Sequence, residues 1–139
     1  MTSGVTVEGR GVVHLDTNFL VSGLDVGSEQ ERRISAWLDA ERPLRVSAAV
    51  WAEFLCGAAF GPPSPAAVAA LSATLGAPVP LGADEAAVAA HCYNAGGRRR
   101  GSMVDCMIAA PATIAVAEFA TTDVTDFQRF VPLGLRLVS

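Results

Sequence analysis

Val12-Val13-His14-Leu15-Asp16-Thr17-Asn18 is the stretch from which the rest of this chain can be read. Its first four residues are almost continuously apolar, the pattern of a short central parallel strand covered on both faces. The run stops on an acid followed by two polar residues. Carboxylates recur in comparably apolar settings: Glu53 between Val50-Trp51-Ala52 and Phe54, Asp105 between Met103-Val104 and Cys106-Met107, and Asp123 after Phe119-Ala120-Thr121-Thr122. An ionised carboxylate in such surroundings loses hydration, and several close together repel, so each should protonate unless a cation compensates them. A hard divalent ion is the simplest compensator. Magnesium or manganese takes oxygen ligands, keeps several waters and commonly works with phosphate groups.

The chain has 139 residues, the size of one ordinary domain with a real core and no room for a second catalytic one. Residues 1–10 read as a flexible N-terminal extension and 11–139 as a single domain. With 51% hydrophobic and 17% charged residues the composition is globular rather than disordered. Apolar stretches are broken by Arg, Glu, Pro or Gly well before the roughly 18 residues of a membrane span, and no signal peptide is evident, so a cytoplasmic location is expected. Cys56, Cys92 and Cys106 show no paired ligand spacing and read as buried free thiols.

Formal net charge is −4, and all ten basic residues are arginine. Without lysine, a Walker-type phosphate loop, Schiff-base chemistry and Ser-Lys chemistry are excluded. The acidic balance also rules out holding nucleic acid by bulk positive charge, leaving local contacts through a few arginines and metal ions.

Short apolar runs alternate with helical patterns, which defines an α/β chain. After the first strand, 17–24 reads as a short helix. Ser28 caps a longer amphipathic one carrying Ile34, Trp37 and Leu38, and Leu44 to Val46 is the next strand. Ser47 caps a helix running to about residue 60, with Val50, Phe54 and Leu55 expected on one face. Ser64 or Pro65 begins an alanine-rich helix that Gly76 stops. Asp84 and Glu85 suit the first turn of another, ended by Gly96-Gly97. Ser102 opens a helix through Ala110, where Pro111 should kink or end it. Strands are expected at 119–122 and 135–138, with a short helix or turn at 123–130.

On this map Asp16 and Asp123 fall at the C-terminal ends of two strands, where open α/β sheets place ligand crevices. Glu53 and Asp105 lie on helices that can face the same crevice. Asp126, three residues after Asp123, shares its face on a helical turn. Each acid also has a plainer reading, since aspartates cap helices and helical acids face solvent. Four such coincidences together favour a common site.

The local sequences resemble the PIN-domain ribonucleases, especially the toxin half of bacterial VapBC-type toxin–antitoxin pairs. The resemblance rests on Leu15-Asp16-Thr17-Asn18, Val50-Trp51-Ala52-Glu53-Phe54, Val104-Asp105-Cys106-Met107-Ile108-Ala109-Ala110 and Thr121-Thr122-Asp123-Val124-Thr125-Asp126-Phe127, in that order across 12–138. It implies a PIN-like three-layer sandwich, a central mostly parallel sheet flanked by helices. It implies an acidic quartet of Asp16, Glu53, Asp105 and either Asp123 or Asp126, holding Mg2+ or Mn2+ for hydrolysis of RNA phosphodiesters. Thr17 and Asn18 would hydrogen-bond a carboxylate or metal-bound water. It further implies a homodimer and a VapB-like antitoxin partner; the small residues of 66–95 allow close packing of that kind.

Arg98-Arg99-Arg100 is the basic cluster, placed between glycines just before the Asp105 helix, and it suits the phosphates of an RNA substrate. The alternative is that it complements the preceding helix's C-terminus. His14 and His91 read as structural or surface residues, and Trp37, Trp51 and Phe54 as core rather than base-stacking platforms. Two other classes compete with the ribonuclease. One is a non-catalytic PIN-like binding module, disfavoured because every acidic position is filled. The other is a haloacid-dehalogenase-type phosphatase, which would want an aspartate where Asn18 stands and a lysine the chain lacks.

Overall fold

A computed structural model describes residues 11–57 and 61–139. The expected flexible extension at 1–10 lies outside them, as do residues 58–60, and the helix expected to reach about residue 60 already stops at Gly57. The elements run β1 (Val13–Leu15), α1 (Thr17–Ser22), α2 (Glu29–Asp39), β2 (Leu44–Arg45), α3 (Ala48–Cys56), α4 (Pro65–Leu75), α5 (Ala83–Ala95), α6 (Met103–Ala115), β3 (Glu118–Ala120), α7 (Val124–Gln128), a 3-10 turn at Val131–Leu133, and β4 (Arg136–Leu137).

The four strands form one parallel sheet in the order β2-β1-β3-β4, with Leu15 opposite Ala120. The chain leaves β1 toward β2 on one side and returns to β3 on the other. The strand order therefore reverses between β1 and β3, and beyond their C-terminal ends a crevice opens. Helices flank the sheet, giving the α/β sandwich expected. Val13, Leu15, Leu44 and Phe119 from the strands are buried with Phe19 and Leu20 of α1, Val50 and Phe54 of α3, Ile108 to Ala110 of α6, and Phe127 and Phe130 near α7.

Helix starts follow the capping residues. Ser28, Ser47 and Ser64 accept hydrogen bonds from the backbone N–H groups of Glu31, Val50 and Ala67. Gly57 ends α3 at φ 61°, in the left-handed region.

Two expectations fail. Leu55 is 41% exposed while Val50 and Phe54 are buried. A spacing of five turns a side chain about 140° around a helix, so Leu55 leaves the face that Val50 and Phe54 share. Nor does α6 end at Ala110: it runs through Pro111 to Ala115. An interior proline costs a helix about 3 kcal/mol, but Cys106 and the unbroken run from Ile108 to Ala112 are buried here. Burial of that face offsets the lost backbone bond.

Candidate active site

Asp16 extends the β1–β3 ladder by one bond, its N–H donating to the Ala120 carbonyl at 2.9 Å. This pins the start of α1 to the end of β3. The Asp16 carboxylate then takes two hydrogen bonds, from the Thr17 backbone N–H at 2.8 Å and from Thr121 Oγ1 at 2.8 Å. Thr121 Oγ1 in turn accepts the Asp123 N–H at 2.9 Å, so one hydroxyl ties the acid after β1 to the acid after β3. Asp16 is both the N-cap of α1 and part of the cluster; the two readings of it are compatible.

The remaining acids are arranged around this pair. Thr17 Oγ1 donates to Glu53 Oε1 at 2.5 Å, and Asn18 Nδ2 donates to Asp123 Oδ2 at 3.1 Å. Thr17 and Asn18 thus hold carboxylates, one of the two roles expected of them. Asp105 lies in the first turn of α6, where the helix end favours negative charge, and its Oδ2 is 3.7 Å from Arg129 Nη2. Asp126 Oδ1 is 3.9 Å from Arg99 Nη2, an exposed pair of little energetic weight.

Asp16, Glu53, Asp105, Asp123 and Asp126 line one cavity of about 940 Å³, together with Thr17 and Asn18. The rest of its lining is largely apolar and includes Val21, Leu24, Gly57, Gly61, Pro62, Pro63 and Ala67. Burial pushes the Asp16 carboxyl up to about 6, against the pull of Thr121 and the Thr17 N–H, and the charges of Asp123 and Asp105 push the same way. Burial also raises Asp105; Arg129 opposes the rise, while Asp126, Glu53 and Asp123 add to it. These acids feel one another.

The donor set is all oxygen, which suits a hard divalent ion rather than zinc. No three carboxylate, imidazole or thiol groups among the described residues are already drawn close enough to hold an ion. The fit is therefore one of donor chemistry and shared cavity, not of a closed coordination shell.

None of Arg98, Arg99 and Arg100 lines the cavity. Arg98 folds back onto the end of α5, its guanidinium 5.2 Å from the Tyr93 ring centroid and bonded to Asn94 Oδ1. Arg99 reaches the rim through Asp126, and Arg100 is exposed. His14 is buried away from the cavity, and burial, with the Arg45 charge, lowers it to about 4, so it is neutral. Cys92 and Cys106 are buried free thiols, whereas Cys56 is exposed on the cavity wall, contrary to expectation. It sits at the end of α3, two residues past the buried Phe54, where the helix has turned toward solvent. Two site residues escape a linear reading. Arg129 has no sequence signal; for Thr121 the signal is a hydroxyl at the strand end two residues before an acid.

This arrangement has a family. The chain belongs to the PIN domain family, whose model matches residues 13–131. PIN domains are generally nucleases and usually use divalent metal ions. The fold is similar to that of a chain in the crystal structure of VapBC2 from Rickettsia felis bound to a DNA fragment from their promoter, with 18% identity, 91% of this chain and 97% of that one covered, and a TM-score of 0.71. It is also similar to FitAcB from Neisseria gonorrhoeae at 22% identity, 91% and 96% coverage and a TM-score of 0.67, and to FitAB bound to an IR36 DNA fragment at 22%, 91% and 93%, and 0.66. At such identities the likeness is one of fold. Among curated proteins no match was found. No helix among the described residues is long and apolar enough to cross a membrane.

Proposed function

We propose that residues 11–139 act as one PIN domain, a Mg2+- or Mn2+-dependent endoribonuclease that is the toxin of a VapBC-type pair. In this reading it works in the cytoplasm as a homodimer and is restrained by a cognate VapB-like antitoxin. The observation that carries the reading is the set of five carboxylates, drawn from four remote segments, lining one cavity beyond β1 and β3. The similarity of fold to chains from VapBC and FitAB complexes supports the toxin assignment.

A bound divalent ion would supply Lewis acidity to activate water and to offset the charge of the scissile phosphate. Asp16, Glu53 and Asp105 would hold it, with Asp123 or Asp126 as the fourth oxygen donor. Thr17, Asn18 and Thr121 aim those carboxylates: each hydroxyl or amide already bonds one of them. No protein nucleophile is required, consistent with a neutral His14 that does not line the cavity. Arg99 at the rim, with the exposed Arg100 next to it in sequence, would offset repulsion between RNA phosphates and the acids.

The test is cleavage of RNA by the purified protein with added Mg2+ or Mn2+, with chelator, and with Asp16→Ala and Asp105→Asn. Cleavage is expected only with the ion, and each variant should fall to background while keeping the wild-type circular dichroism spectrum. Normal cleavage by both variants would remove the acids from the chemistry, and an inactive wild type would leave a non-catalytic PIN module.

A further inference from the structure

Three acids of the cavity are each fixed by a polar group of the protein, whereas Asp105 and Asp126 meet only arginines, and the Arg99 that faces Asp126 is exposed. Asp16 has Thr17 N–H and Thr121, Glu53 has Thr17, and Asp123 has Asn18. Asp105 accepts no hydrogen bond among the described residues; its partner is Arg129, 3.7 Å away. Arg129 itself is oddly placed. Its side chain is only 18% exposed, its guanidinium carbon lies 4.4 Å from the Phe130 ring centroid, and its Nε and Nη2 are buried without a hydrogen-bond partner among the described residues. A guanidinium left so incompletely paired is a poor stabiliser, and a methionine of similar reach would pack against Phe130 without the desolvation cost.

From this we infer that Arg129 is the positioning residue of Asp105, a fixed countercharge that directs the carboxylate into the cavity against repulsion from the neighbouring acids. This rests on the metal-dependent reading above. Arg129 does not line the cavity, whereas Asp105 does, so the guanidinium stands behind the carboxylate rather than in an ion's path. Stacking on Phe130 fixes the guanidinium plane, which a lysine cannot reproduce. The two unpartnered nitrogens leave capacity for a shorter, bidentate pairing once Asp105 is drawn into a coordination shell. Supporting groups of this sort typically change metal affinity about 10- to 100-fold.

The experiment compares wild type, Arg129→Met and Arg129→Lys for Mn2+ binding, followed by electron paramagnetic resonance of the free ion, and for thermal midpoint in chelator. Arg129→Met is expected to bind Mn2+ at least about tenfold more weakly, whether or not its midpoint moves, and Arg129→Lys to fall between. A purely structural arginine gives the opposite pattern, a lower midpoint with unchanged Mn2+ affinity, and that result overturns the inference. If Arg129→Met does not fold, Arg129→Lys decides: weaker binding at an unchanged midpoint supports the role, and wild-type binding refutes it. Failure of the wild type to bind Mn2+ would instead sink the metal-dependent reading, and this inference with it.

Discussion

Burial holds the Asp16 carboxyl at about 6, where a free aspartate stands at 3.8. Between those values the folded chain binds more protons than the unfolded one, so this group's contribution to stability is greatest below about pH 4. It declines as pH rises toward 6 and is level above that. A shift of this size corresponds to up to about 3 kcal/mol of destabilisation at pH 8. Asp16→Asn removes the ionisation and keeps an oxygen for the Thr17 N–H. In chelator it should therefore melt above wild type at pH 8, with the difference vanishing near pH 4. A lower melting point at pH 8 would show that lost hydrogen bonds, not burial, dominate. Asp16, Glu53, Asp105 and Asp123 were legible in the sequence because an acid amid apolar residues is a local signal, and Asp126 through its spacing of three from Asp123. Thr121 and Arg129 were not. Thr121 meets Asp16 only because Leu15 pairs with Ala120, and Arg129 meets Asp105 only through the path of a long side chain across Phe130.

Helix boundaries show the same division. Those set by neighbouring residues, such as the Ser28, Ser47 and Ser64 starts and the Gly76 stop, were readable in advance. The course of α6 through Pro111 was not, because it depends on what the helix buries. The end of α3 makes a strong claim of its own. Gly57 has φ 61°, and a Cβ there would lie 1.7 Å from the Gly61 carbonyl oxygen. Gly57→Ala meets both a strained backbone conformation and a backbone clash, and should cost about 3 kcal/mol or more. Thermal denaturation measures this, and a variant as stable as wild type would mean that the turn into the cavity's apolar wall is not held as described.

The whole molecule carries a formal charge of −4, so attraction for a polyanion has to be local. Of the three clustered arginines, Arg98 is occupied at the end of α5, which leaves Arg99 and Arg100 for phosphate. Arg99→Gln with Arg100→Gln, made in the cleavage-deficient Asp105→Asn background, should weaken RNA binding and flatten its salt dependence by about 0.7 in logarithmic slope for each phosphate no longer neutralised. An unchanged slope would assign the loop to the helix end alone. The sheet order has a further consequence. Asp16 is secured by Thr121, 105 residues later, and β1 finds its central neighbour only in β3. A nascent chain therefore carries Asp16, Glu53 and Asp105 well before the strand and the hydroxyl that secure the first of them emerge, so a fragment cut short of Thr121 cannot assemble the pocket.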